Sequence, residues 1–385
     1  MIELSDVPRM PSTPEATDIP SIEARPGQPV MAAIPNVGGR DIAEILAPQG
    51  SRRQPMPGFG DEYSDIVDYI LRCTHRIWEQ KDLGLIATHY APDIRVHTMT
   101  GPVDGVGGVI AGTARTLSAF PDRTLTGEAV IWSAQPEGAY FSSHRITSSA
   151  TNLGPSELGP PTGKRISFTT IADCLCRENR IVEEWLVRDY SAMALALGYR
   201  PRTVAANQAA ADRAAAPGRS EWRLEAMNRV ADSPQTPFPA GSIPDPHRDP
   251  HAFARDFFDR VVNHRRLAAV RDTYSPAAHW TGPGARRLFG WGEITGWFTA
   301  LIGSFGDARI TVDSTTAVEA PGGHDLSVRW SLAGIHNGAA LYGAPSQERV
   351  YVLAVSHWRV VGGRIAEETT VFDEVALLRQ MEGGL

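Results

Sequence analysis

The second half of this chain repeats the first at a constant offset of 184 residues, and that repeat limits what the chain can fold into. The clearest copy is Arg165 to Asp189, RISFTTIADCLCRENRIVEEWLVRD, which returns as RVYVLAVSHWRVVGGRIAEETTVFD from Arg349 to Asp373. Leu83, Tyr90, Pro92, Arg145, Gly154 and Pro161 recur as Leu267, Tyr274, Pro276, Arg329, Gly338 and Pro345. An offset held over so long a stretch means one domain written twice. Two copies make a duplication, because a solenoid needs three or more short repeats.

Each copy begins with helical spacing and continues as consecutive strands. Ile66, Ile70, Cys73 and Ile77 are spaced for one face of a helix, and Phe253, Phe257 and Val261 repeat the pattern. Strand-like runs follow near 125–132, 138–148, 164–176 and 180–188. Helices first, then strands at hairpin spacing, predict two α+β domains with a largely antiparallel sheet. The expected division is a proline- and glycine-rich leader at 1–60, domain 1 at 61–199, a linker at 200–248 and domain 2 at 249–385. Within the leader, Ile42 to Leu46 is a candidate helical turn lying over a domain. In the linker, Val204 to Ala216 is a candidate helix, and SPQTPFPAGSIPDP is too proline-rich for regular structure.

The net charge of −7, without a basic stripe, argues against nucleic acid or an anionic membrane as partner. Three cysteines are too few for a disulfide framework, and Cys174 and Cys176 share one strand face as buried thiols. No phosphate-cradling glycine loop, zinc-binding helix or G-x-S-x-G appears. The N-terminus lacks a basic region followed by an apolar core, so a cytoplasmic protein acting on a small apolar molecule, with no cofactor, is the expectation.

Three motifs point to a family. The first is a helix pair followed by Y-x-P before a strand. The second is Arg145 with Asn152-Leu153-Gly154 and the turn Pro161-Thr162-Gly163, answered by Arg329 with His336-Asn337-Gly338. The third is IVEEWLVRD at 181–189, answered by RIAEETTVFD at 364–373. In order and spacing the chain resembles the nuclear transport factor 2-like superfamily, and within it the SnoaL-like polyketide cyclases. The resemblance implies two tandem cone-shaped α+β barrels, each a curved sheet wrapped around helices with an apolar pocket inside. It also implies a carboxylate at the end of the last strand as general acid/base, matched here by Asp189 and Asp373. Asn152 stands in the family's histidine slot, Thr369 in its tryptophan slot, and Pro345-Ser346-Gln347 replaces the second P-T-G turn.

Asp189 has two readings, a general base in an apolar pocket or the N-cap of the tail helix. Trp185 and Val187 share its strand face, and for Asp373 the cap is the favoured reading. Asp173 sits mid-strand, where a carboxylate needs a partner. With Glu178-Asn179 as a two-residue turn, Asp173 faces Glu184, and with Gly362-Gly363 as the turn, His357 faces Glu368. That register sets Asp189 on the other face, and a bulge would reunite it with Asp173. Arg145 and Arg329 suit an oxyanion or a buried acid. His144 points away from Arg145, His97 falls at the mouth, and His336 fills the family's histidine slot. The leading expectation is an acid–base enzyme for an apolar carbonyl compound, with Asp189 moving the proton, Arg145 holding the oxyanion and domain 1 the more active copy. Domain 2 is then its packing partner, as an intramolecular pseudo-dimer or within a homodimer. The rivals are a non-catalytic binding protein and an epoxide hydrolase built on Asp173, Arg145 and Asp189.

Overall fold

The computed structural model describes residues 52–215, 220–234, 236–239 and 241–384; Ile42 to Leu46 lies outside them. Domain 1 opens with α1 (Ile66–Trp78) and α2 (Gly84–His89), followed by β1 (Tyr90–His97), β2 (Val103–Asp104) and α3 (Gly105–Ala119). Four long strands complete it apart from a tail helix: β3 (Thr124–Ala134), β4 (Tyr140–Thr151), β5 (Arg165–Arg177) and β6 (Arg180–Arg188). Asp189 caps the tail helix, α4 (Tyr190–Leu197). The linker carries α5 (Pro201–Ala215) and α6 (Glu221–Ala231).

Domain 2 repeats the order. It has α7 (Pro250–Phe258), α8 (Ala269–Thr273), β7 (Tyr274–Gly282), β8 (Arg286–Phe289), α9 (Gly290–Ser304), β9 (Arg309–Ala320), β10 (Gly323–Ile335), β11 (Arg349–Val361), β12 (Arg364–Val371) and α10 (Glu374–Met381). The two six-stranded sheets run β2-β1-β6-β5-β4-β3 and β8-β7-β12-β11-β10-β9. Only β1–β6 and β7–β12 are parallel among the paired strands, since a crossover through helix and sheet joins them. Among the described residues no helix is long and apolar enough to cross a membrane.

The leader, expected to run to residue 60, packs on domain 1 from residue 52 onward. Met56, Phe59 and Tyr63 are buried, with Phe59 edge-on to Tyr69 and Tyr140. The apolar face of α6 (Met227, Val230) was not foreseen, and it covers β10 and β11.

Both hairpins form with the expected two-residue turns, Glu178-Asn179 and Gly362-Gly363, all four residues having positive φ. Each then takes a bulge just past the turn. Cys176 pairs with Ile181 but Leu175 pairs with Glu183, leaving Val182 over; Val360 pairs with Ile365 but Arg359 with Glu367, leaving Ala366 over. One extra residue turns every later side chain of β6 and β12 to the other face. Asp173 therefore faces Trp185, and His357 faces Thr369. Glu184 and Glu368 turn inward, toward the helices.

The outer faces of the two sheets meet in an approximate twofold arrangement. Arg145 of domain 1 donates to Thr369 of domain 2, and Arg329 of domain 2 lies over Trp185 of domain 1, the equivalent pair. The Ser327 hydroxyl donates to its counterpart Ser143 across the axis, at 2.8 Å. An apolar cluster containing Ile171, Val187, Phe168, Val355 and Val371 spans both domains, while a second cluster, with Tyr63, Ile70 and Ile94, belongs to domain 1 alone.

Candidate functional site

Asp189 is a cap and a latch. Its Oδ1 accepts from Ala192 N at 2.9 Å, Ser191 Oγ at 2.8 Å and Gly284 N at 2.9 Å, and Oδ2 accepts from Ala285 N at 3.2 Å. Gly284 has φ +71°, which turns its N–H toward the carboxylate at no steric cost. Four accepted bonds leave little capacity to move a proton, so the general-base reading gives way to the cap. Trp185 and Val187 do share its face, but that face is the domain interface. Asp189→Ala should cost about 2 kcal/mol in urea unfolding through the lost cap and charged hydrogen bonds, and Asp189→Asn less. No loss in either variant would refute the latch. Asp373 caps α10 through Ala376 N at 2.9 Å, and burial raises its pKa to about 7.

The other outward residues also hold the domains together. Asp173 pairs with Arg329 at 3.0 Å, both buried, and burial pushes its carboxyl up while Arg329 opposes the shift. His357 Nε2 lies 2.8 Å from Ser143 Oγ. His97 bonds Glu183 at 2.8 Å and stacks on Trp185, so it braces Arg329's platform instead of marking a mouth. His336 is buried in a loop, where Nδ1 accepts from Ser346 N at 3.1 Å. Asp173, Arg145 and Asp189 thus have three different partners and form no water-activating array. Arg145 does line an interdomain cleft with His357, Asp325, Arg359 and Glu367, but at about 70 Å³ it falls well short of a usual ligand pocket, roughly 300 Å³ or more.

The inward faces differ between the copies. In domain 2, Phe257, Phe258, Trp280, Trp297, Trp330 and Trp358 fill the cone in ring-to-ring contact. At the same positions domain 1 has Cys73, Thr74, Val96, Thr113, Ile146 and Cys174. Trp78 opposite Val262 and Leu186 opposite Thr370 run the other way without making up the volume. Thr74, Trp78, Tyr90, Ile110, Ala172 and Leu186 are only partly buried, while Phe258, Val262, Tyr274, Ile294, Ser356 and Thr370 opposite them are buried. The interior of domain 1 is therefore lined by smaller and more accessible side chains than that of domain 2.

In that interior of domain 1 stands Glu184, 6% exposed and close to Tyr90; burial raises its pKa to about 7. His144 shares the interior, as its opposition to Arg145 implied. Burial holds it neutral, with a pKa near about 3. Thr74 gives its hydroxyl proton to Ile70 O at 2.7 Å, so His144 Nδ1 is the donor in its 3.5 Å contact with Thr74, and Nε2 is left an unpartnered acceptor. Domain 2 keeps the matching pair, Tyr274 and Glu368, but Thr370 and Tyr274 both donate to Glu368 amid the rings. The repeated Tyr and Glu were the sequence signal for this pair; the bulge hid which face they take. Among the described residues no group of three or more His, Cys, Asp or Glu is placed to hold a metal ion.

The profile of the SnoaL-like polyketide cyclase family matches residues 69–197 and 252–381, about two-thirds of the chain. The chain belongs to that family, as a tandem member. Three solved structures are similar to it. A candidate SnoaL-like polyketide cyclase from Jannaschia Sp. CCS1 is 20% identical over 38% of this chain and 97% of that one, with a TM-score of 0.32. TsrD from Streptomyces laurentii is 20% identical over 34% and 94%, TM-score 0.30. AclR from Streptomyces galilaeus, a candidate hydroxylase, is 25% identical over 35% and 98%, TM-score 0.30. No curated protein matches the chain.

Proposed function

We propose that domain 1 is an acid–base enzyme for an apolar carbonyl compound, working through an enolate in cyclisation, isomerisation or dehydration. The observation that carries this is a buried carboxyl, Glu184, set among the accessible inward side chains of domain 1, where burial raises its pKa to about 7. A base with its pKa near the working pH combines ionised population with driving force for transfer. Glu184 takes the α-proton. Once protonated it donates to Tyr90, which frees the Tyr90 O–H for the enolate oxygen, and the proton then returns at the product carbon. Domain 2 is the partner that braces the outer face of the working sheet.

Exchange of α-protons into D₂O for a panel of apolar 1,3-dicarbonyl compounds, followed by NMR, tests this without knowledge of the substrate. Exchange should be catalysed by the whole chain and lost in Thr74→Phe, which copies domain 2's ring into the cone while leaving the fold intact. Wild-type exchange no faster than that of Thr74→Phe would leave a non-catalytic binding protein as the better reading.

A further inference from the structure

Two arginines inside domain 1 are buried without a direct ion pair among the described residues. Arg123, just after α3, is 2% exposed, and Arg188, the last residue of β6, is 8% exposed. Arg123 donates from Nε and Nη2 to Ser148 Oγ at 3.2 and 2.9 Å, and its guanidinium lies 4.1 Å from the Trp78 ring. Arg188 donates to Tyr190 Oη at 2.8 Å. Neither makes an ion pair among the described residues. Arg123 Nη1, Arg188 Nε and the hydroxyl of Thr170, paired with Arg188 across the strands, are buried without any partner. Burial and the neighbouring Arg188 disfavour the charge of Arg123, while Glu157 and Asp373 favour that of Arg188 from beyond ion-pair distance; each unmade bond on these buried groups carries a cost. Domain 2 has Asp307, Phe372, Ala354 and Leu332 in place of Arg123, Arg188, Thr170 and Ser148, so this polar floor belongs to domain 1 alone.

Glu184 and Arg188 lie four residues apart on the same face of β6, about 13 Å along the strand. Leu186 lies between them, with Ala172 beside it on β5, making an apolar wall. We propose that Arg123, Arg188 and Thr170 bind a carboxylate, so that the compound processed in domain 1 carries an acid at one end and its reacting carbonyl at the other. This rests on the reading of Glu184 as the proton carrier. Guanidinium forks match a carboxylate with paired hydrogen bonds, which a neutral head group lacks.

Titration calorimetry with octanoate, octan-1-ol and octyl phosphate separates the outcomes. Octanoate should bind at least about tenfold more tightly than octanol, the worth of one charge-assisted hydrogen bond. That preference should disappear in Arg123→Met/Arg188→Met and persist in Glu184→Gln. Removing unpaired buried charges should leave the melting temperature unchanged or higher; Arg123→Gln, which keeps a donor for Ser148, serves if the double variant fails to fold. Equal binding of octanoate and octanol, or a preference surviving both variants, overturns the acid pocket while sparing the catalytic reading. Tighter binding of octyl phosphate overturns the carboxylate assignment. Binding of none of the three overturns the pocket together with the interior of domain 1 as a ligand site.

Discussion

Glu184→Gln is expected to lower α-proton exchange by about 10²–10⁴-fold, the usual worth of a positioned base. It should also change how stability depends on pH. Below about pH 4.5 the wild-type carboxyl is protonated both folded and unfolded, so it contributes nothing to the balance. Between there and about pH 7 the unfolded chain ionises while the folded chain keeps its proton, because burial has raised its pKa. Stability therefore falls as pH rises, and above about pH 7 the penalty is complete. A shift of that size corresponds to up to about 3 kcal/mol. Glutamine cannot ionise, so the stability of Glu184→Gln relative to wild type should rise by up to that amount between pH 4.5 and pH 8. Urea unfolding at the two pH values measures it. A constant difference would mean that Glu184 is well solvated when folded, and the proton-carrier reading would go with it.

Asp173→Asn should destabilise the chain by about 3–5 kcal/mol, because it leaves a buried guanidinium without its counter-charge. Arg329 is 5% exposed and lies 3.7 Å over the Trp185 ring, so it has no easy route to water. Asparagine keeps the size of aspartate, so a cavity would not account for the loss. Asp173→Leu combined with Arg329→Met should recover most of the stability, since an apolar pair in place of a buried ion pair is often neutral. If Asp173→Asn alone costs less than about 1 kcal/mol in urea, the Asp173–Arg329 pair is not what closes the interface.

Much of this molecule was legible in its sequence. The offset gave two domains, helical and strand spacing gave their elements, and Glu178-Asn179 and Gly362-Gly363 gave both turns. The site was not legible, because it depends on Val182 and Ala366, ordinary residues that bulge out of the ladder. Counting strictly from the turn pairs Asp173 with Glu184, whereas the bulge sets those two carboxyls on opposite faces. Arg123 and Arg188 gave no signal for a related reason: arginine at strand ends and turns is common, and only three-dimensional packing shows that these two lie inside. His336 shows the opposite error, a residue in a suggestive slot whose nitrogen pins a loop.

The Ser143–Ser327 contact on the twofold axis has an evolutionary consequence. In an assembly of two identical chains, any substitution near the axis appears on both sides at once. A tryptophan chosen to cover one arginine must cover the other, and an acid placed for one must sit beside its own copy. Joining the halves in one chain removes that constraint. Asp173 and Trp185 can serve Arg329 while His357 and Thr369 drift at the mirrored positions, and one cone can take smaller side chains because the other keeps its rings. Selection can then act on a scaffold and a reaction vessel as separate inheritances, although both are read from a single gene.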